Sequence, residues 1–352
     1  MIGIDLLVLD GASASAVGST VDVVSAANSI LGTPTFDLRF VAPEPEVRVR
    51  GGLTATARPL ARARPRDIVV VPGLGAADPA EITARLAAPD IAPAGQWLTR
   101  AHARGAEIAA SCTAVFVLGA AGLLTGRRCV TTWWLGAELA RRAPGADVVL
   151  DDMVLRDGPI RTAGAAFAHI DLVLSIMRQH AGAALADELA ARLVVDQRAS
   201  QASFLIPSQL ASRDAAVAAL ESFVRAHPEH PHTLESLAAQ CRTSPRTLAR
   251  RTAAATGLSP LQLVARVRLR HALHLLRTTD QPLTEIAAAV GVADPATLHR
   301  LVKRHTGRAP GSWRPGRSVS RAVPLHAADR PDLTAAPARR HDLEAVAGRT
   351  ST

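Results

Sequence analysis

Residues 244–257 read SPRTLARRTAAATG, and residues 294–307 read DPATLHRLVKRHTG. Shifted by 50 positions, Pro245, Thr247, Leu248, Arg250, Thr256 and Gly257 fall on Pro295, Thr297, Leu298, Arg300, Thr306 and Gly307. The register continues from Pro260 to Pro310 and back from Ala238 to Ala288. Chance does not keep so many residue types in one register, so the chain carries an internal repeat. Each copy opens with an N-cap residue and a proline at the first helical position, Ser244-Pro245 and Asp294-Pro295, and closes on a glycine suited to a left-handed cap. A shorter helix is expected before each, over residues 234–240 and 285–290, with Gly291 at the second turn. Helix, tight turn and second helix, twice over, is the helix-turn-helix geometry.

Spacing separates the faces of the second helices. Leu248 with Thr252, and Leu298 with Val302, stand four apart and point inward. Arg246, Thr247 and Arg250 in the first unit, and Ala296, Thr297 and Arg300 in the second, lie near the helix starts, where side chains reach base edges in a major groove. Arg251, Lys303 and Arg304 sit farther along and suit phosphates. Between the copies, Ser259-Pro260 starts a helix running to about Arg277. Its 18 residues span ~27 Å, a rigid spacer that places two recognition helices in successive grooves of double-stranded DNA.

Charge supports this division. Residues 1–200 hold 19 Arg against 20 Asp and Glu, a net of −1, so of the overall +9 the remainder of the chain carries +10. Such asymmetry fits a polyanion-binding module beside a neutral one, although RNA or anionic lipid would satisfy charge alone. Cys112, Cys129 and Cys241 match neither a disulfide framework nor a zinc site, which points to a reducing cytoplasm and to no metal or cofactor. No apolar run approaches the ~18 residues of a membrane span, and the start of the chain reads as a buried strand rather than a signal peptide.

The N-terminal half alternates short apolar runs (residues 2–9, 36–42, 68–71 and 106–110) with helical patterns (21–31, 94–104 and 115–124), the pattern of β-α-β units around a mostly parallel sheet. A hairpin turning at Asp157-Gly158 and a helix over residues 165–180 follow. The divisions expected are an α/β domain over residues 1–183, a helix and linker over 184–214 with its polar stretch at 196–213, an all-α DNA-binding domain over 215–316, and a tail without periodicity over 317–352.

Ser111-Cys112-Thr113 lies where a strand turns sharply into a helix, an elbow that lifts a nucleophile above a sheet beside backbone N–H groups. A cysteine is equally at home as a small buried apolar residue.

Two resemblances follow from these segments. Residues 233–313 resemble the DNA-binding domain of the AraC/XylS family, on residues 247–251, Leu283-Thr284-Glu285-Ile286-Ala287 through Val290-Gly291, and residues 305–310. Thr252, Leu298 and Val302 depart from it, since the family usually places Phe there. Residues 2 to about 180 resemble the PfpI/ThiJ superfamily, on Val71-Pro72-Gly73, residues 111–118, residues 121–128, Thr131-Thr132-Trp133-Trp134 and residues 162–166. The whole resembles the GlxA-type regulators. The resemblance implies an α/β sandwich of the class I glutamine amidotransferase kind joined to a double helix-turn-helix domain.

In that superfamily the enzymes set the elbow cysteine beside a histidine and an acid. Here Trp133 stands where the base would be, Ala16 stands at the acid position, and His102 and His169 fall elsewhere. A cysteine without a base has little route to covalent catalysis. The expectation is therefore a transcriptional regulator, not an enzyme, a homodimer with RNA polymerase as a further partner, whose N-terminal domain senses a small-molecule effector or dimerises. Cys112, Trp133 and Trp134 either line an apolar or aromatic ligand site, or the tryptophans are core and rim packing. The rival expectation is a cysteine-dependent hydrolase, hydratase or glyoxalase with an accessory DNA-binding domain. A third, resting on Cys112 alone, is a thiol redox sensor.

Overall fold

The computed structural model describes residues 1–315; the expected tail over 317–352 and the last residue of the expected DNA-binding segment lie outside the described residues. Five strands form the body of the main sheet: β1 (Ile2–Leu7), β2 (Phe36–Ala42), a short hairpin β3 (Glu46–Val49) and β4 (Leu53–Thr56) set aside from it, then β5 (Arg58–Pro59), β6 (Ile68–Val71) and β7 (Glu107–Ser111). After a small parallel pair, β8 (Arg128–Val130) with β9 (Asp147–Val149), the hairpin β10 (Val154–Asp157) and β11 (Ile160–Ala163) completes the order β10-β11-β7-β6-β1-β2-β5. Every pairing in that sheet is parallel except β10 with β11.

Because successive side chains of a strand point to opposite faces, Ile68 and Val70 enter one core while Val69 and Val71 enter the other. One face is covered by α1 (Ala14–Leu31), α6 (Ala168–Ala181) and α7 (Ala183–Arg192). The other is covered by α2 (Pro79–Leu86), α3 (Ile91–Ala103), α4 (Val115–Ala120) and α5 (Gly136–Arg142). Burial on both faces explains why β6 is an unbroken Ile-Val-Val-Val run rather than an alternating one.

The remaining chain is helical: α8 (Pro207–Ala211), α9 (Ala215–Ala226), α10 (Leu234–Gln240), α11 (Pro245–Thr256), α12 (Pro260–Thr278), α13 (Leu283–Ala289) and α14 (Pro295–Thr306). Its long helix, α12, serves two cores. Leu263, Val264 and Val267 near its start pack with α9, α10 and α11, whereas Leu269, Ala272, Leu273 and Leu276 pack with α13 and α14. Among the described residues no helix is long and apolar enough to cross a membrane.

Two expectations change. The polar stretch 196–213 is not a free connector: it holds α8, Gln201 is buried, and Ala202, Leu205, Leu210 and Ala211 are buried as well. Polarity misled here because Gln201 satisfies both ends of its amide inside the protein, donating to the Thr131 carbonyl at 2.9 Å and accepting from the Ala165 N–H at 3.3 Å. The repeat also slips by one residue ahead of the second helices. Leu237 and Ala238 of α10 correspond in burial to Ile286 and Ala287 of α13, and Ala288 is exposed. The chain between α13 and α14 is one residue longer than that between α10 and α11.

Candidate functional site

Both recognition helices are built from the same local interactions. The Ser244 hydroxyl accepts from the Thr247 N–H at 3.1 Å and the Asp294 carboxylate accepts from the Thr297 N–H at 2.8 Å, each satisfying a donor the helix start leaves open. At the far end the Thr256 and Thr306 hydroxyls donate back to the Thr252 and Val302 carbonyls and accept from the N–H groups of Leu258 and Arg308. Gly257 and Gly307 follow at φ 73° and 72°, which only glycine adopts freely. This shared Thr-Gly cap is why those residues recur in the sequence.

The inner face is as spaced: Leu248, Thr252, Leu298 and Val302 are wholly buried. Arg246, Arg250, Ala296, Arg300, Lys303 and Arg304 are exposed, so the positions expected to meet bases and phosphates are open to solvent. Thr247 and Thr297 are half-buried, and their hydroxyls are engaged in the caps, Thr247 by Ser244 at 2.9 Å and Thr297 by Asp294 at 2.8 Å. Arg300 also donates to the Thr297 hydroxyl at 2.7 Å.

Arg251 departs from its expected role. Its Nε and Nη2 grip Asp214 at 2.7 to 3.0 Å, and the hydrogen bonds from Arg251 hold that carboxyl below its ordinary range. Asp214 is also the N-cap of α9, accepting from Ala216 and Val217, so Arg251 pins α11 to the start of α9 rather than facing outward. Sequence spacing missed this because the partner lies on another helix.

In the other half, Cys112 occupies the elbow between β7 and α4 with φ 55°, the left-handed region that a non-glycine residue enters only under constraint. Its N–H donates to the Gly164 carbonyl at 2.9 Å and its carbonyl accepts from the Thr131 hydroxyl at 2.8 Å, which fix it there. A side chain at Gly73 would put a Cβ 2.9 Å from that of Cys112, so glycine is needed for the approach. Burial pushes the Cys112 thiol up, offset in part by hydrogen bonds from Thr113 and by the charge of Arg50.

His169 lies closer to the elbow than sequence reasoning placed it. The ring is buried, with Nδ1 2.8 Å from the Ser111 hydroxyl and Nε2 2.7 Å from that of Thr20. The Thr20 hydroxyl also lies 2.9 Å from the Ala16 carbonyl; with its one proton given there, Nε2 carries the ring hydrogen and Nδ1 accepts from Ser111. Burial lowers this imidazole to about 4, and both its nitrogens are occupied. Ala16, at the acid position, is itself buried.

Of the two readings of the tryptophans, Trp133 takes the packing one. It is buried in a core shared with Leu205, Leu210, Leu220 and Val264, that is, among the C-terminal helices. Trp134 is half-buried, meets Trp133 edge-on at 5.2 Å, and donates its ring N–H to the Ala77 carbonyl at 2.9 Å.

A polar cluster joins the halves beside this core. Asp151, in the loop after β9, pairs with Arg266 of α12 at 2.6 Å and with His305 of α14 at 2.8 Å. Burial raises its carboxyl, yet the bonds from His305 and Arg266 prevail and hold it below the ordinary value. The Ser200 hydroxyl lies within hydrogen-bond reach of the carbonyls of both Asp151 and His305 and has one proton to give to either. The ends of both recognition helices rest here: Gly257 lies over Ala137, and Gly307 over Ala199.

Residues 6–179 match the DJ-1/PfpI family and residues 237–316 match a helix-turn-helix domain family. The HTH-type transcriptional regulator GlxA of Rhizobium meliloti is 30% identical over 221 residues, 62% of this chain and 68% of that protein. The HTH-type transcriptional regulator CdhR of Pseudomonas aeruginosa is 25% identical over 222 residues, 62% of this chain and 66% of that protein. A solved AraC family transcriptional regulator from Pseudomonas putida aligns over 55% of this chain and all of its own, at 21% identity and a TM-score of 0.48. The chain belongs to the helix-turn-helix transcriptional regulators that join a DJ-1/PfpI-like domain to an AraC-type DNA-binding domain.

Proposed function

We propose that this regulator works as a cytoplasmic homodimer whose DJ-1/PfpI-like half is a non-catalytic sensor, reading a small-molecule effector at the Cys112 elbow and passing the result to DNA contacts and to RNA polymerase. The observation that carries the reading is Trp133. The resemblance assigns that position to the catalytic base, and here its ring packs against α8, α9 and α12. His169 supports the same reading, since its two nitrogens serve Ser111 and Thr20. A path of hydrogen bonds and backbone also runs between elbow and interface: Thr131 donates to the Cys112 carbonyl, Gln201 donates to the Thr131 carbonyl, and two residues on lies Trp133. Movement of the elbow is therefore felt at the helical half.

DNA contact is assigned to Arg246, Thr247 and Arg250 on α11 and to Ala296, Thr297, Arg300, Lys303 and Arg304 on α14, with Arg251 removed from that set by its pairing with Asp214. Duplex selected from random sequence tests this. Arg250→Ala costs ~1 to 3 kcal/mol at one base step and relaxes preference there, while Arg251→Ala lowers stability and leaves the preference intact. Equal loss of sequence preference in both variants refutes the assignment. For the other half, the purified chain is offered glyoxals, amides and isonitriles; turnover that disappears in Cys112→Ala establishes the cysteine-dependent enzyme instead.

A further inference from the structure

The turn that leads from α9 towards α10 reads His227-Pro228-Glu229-His230-Pro231-His232. The ligating atoms of His227, Glu229 and His230 all lie within 4.8 Å of one another, on side chains exposed to solvent. The His227 and His230 rings stack nearly parallel, 4° apart in plane with centroids at 5.1 Å, and a Glu229 carboxylate oxygen is 3.4 Å from Nε2 of His230. Exposed imidazoles gain little by stacking on one another in water, and these three side chains converge outside the core.

The backbone beneath them is fixed. The His230 N–H donates to the His227 carbonyl at 3.3 Å and closes the turn, while the His227 N–H donates to the Phe223 carbonyl at 3.0 Å. Arg268 of α12 donates Nε to the Pro228 carbonyl at 3.0 Å and Nη2 to the His230 carbonyl at 2.7 Å. Phe223 underlies the group, 5.2 Å from the His227 ring and 5.7 Å from that of His232. Two prolines remove further freedom. The entropy of ordering three ligands is thus largely met by the fold, and only side-chain rotations remain.

We propose that His227, Glu229 and His230 form a binding site for a divalent transition ion of the zinc class, held by two imidazoles and one carboxylate with a water at the open position. Two nitrogens and one oxygen suit such an ion, with Zn–N near 2.0 to 2.1 Å and Zn–O near 2.0 to 2.2 Å. Ligand atoms around a tetrahedral ion stand about 3.4 Å apart on those lengths, so a cluster within 4.8 Å closes by side-chain rotations that bring the atoms together by about 1 Å. Glu229 supplies a negative charge for the cation, while Arg268 spends its donors on the Pro228 and His230 carbonyls beneath.

The site lies at the junction of the two helix-turn-helix units. The turn of the second packs onto it so closely that a Cβ at Gly291 would sit 2.3 Å from the Pro228 carbonyl oxygen. Ion binding therefore braces the loop that α12 and the second unit share.

The test uses the full chain without an affinity tag, titrated with Co²⁺ as a spectroscopic stand-in and then with Zn²⁺. Wild type develops the visible bands of four-coordinate Co²⁺ to one equivalent, Zn²⁺ removes them, and Zn²⁺ raises the melting temperature. The double variant His227→Ala/His230→Ala and the single variant Glu229→Gln, checked for unchanged helicity, each lose at least about tenfold in affinity, the scale on which even outer partners of a metal act. Wild type that takes up no Co²⁺, or folded variants that bind it as well as wild type, overturns the proposal. Neither readout depends on DNA binding, so the site stands or falls apart from the regulatory reading.

Discussion

Acidification is expected to destabilise the α/β half through His169, by an amount that follows from its burial. The ring is 1% exposed and its folded value is lowered from 6.5 to about 4. The unfolded chain binds a proton near pH 6.5 that the folded chain accepts only near 4. Stability from this group is therefore fully present above pH 6.5 and is lost as pH falls from there towards 4. A shift of about 2.5 units at ~1.36 kcal/mol each gives about 3 kcal/mol in total, of which about 2 kcal/mol is gone by pH 5. The assay is urea unfolding at steps from pH 7.5 to 5, comparing wild type with His169→Gln, which hydrogen-bonds but does not titrate. Taking the difference cancels groups common to both, including His232 and His271, which burial also lowers. Wild type converges on or falls below the variant as pH drops. Two curves that run parallel from pH 7 to 5 refute the buried neutral imidazole, and with it the argument that His169 is withheld from Cys112.

Thr252 is wholly buried with no hydrogen-bond partner for its hydroxyl among the described residues, while the matching position of the second unit is Val302. Thr252→Val removes that unsatisfied group, so thermal unfolding of the variant shifts upward by the equivalent of about 1 kcal/mol. Asp151→Ala leaves the 9%-exposed Arg266 side chain without its carboxylate and costs about 3 kcal/mol, seen as earlier unfolding and faster proteolysis around residues 198–205. In wild type the same pairing, whose carboxyl is held below its ordinary value, contributes above the unfolded value of ~3.9 and is lost as pH falls through the lower folded one. Iodoacetamide on the folded protein labels half-buried Cys241 before Cys112 and Cys129, both buried, the latter pushed up to about 12 by burial; mass spectrometry of the digested peptides reads the order.

What the sequence made legible was local. Ser-Pro and Asp-Pro starts, Thr-Gly ends and four-residue apolar spacing each act within a turn or two, so α11 and α14 were readable nearly to the residue, as was the elbow at Cys112. The interactions that escaped join elements far apart in the chain. Arg251 meets Asp214, Asp151 meets Arg266 and His305, and Gln201 meets Thr131, at separations of 37 to 154 residues. Periodicity reports which face of a helix is apolar, not which neighbour a polar side chain selects. A polar stretch such as 196–213 therefore reads as a connector until its partners are in place.

Trp133 ties the two kinds of information together. An imidazole set in its place would lie among Leu205, Leu210, Leu220 and Val264, where the charged form is costly. A tryptophan there instead contributes the 150 to 250 Å² that such rings bury, worth about 4 to 6 kcal/mol as an upper estimate. The position cannot serve both ends: a base must stay hydrated enough to exchange protons, and a docking residue must not be. On the proposed reading, tryptophan at this position has two consequences: it leaves Cys112 without the base the resemblance would put there, and it fastens the elbow's own wall to α8, α9 and α12 of the helical half.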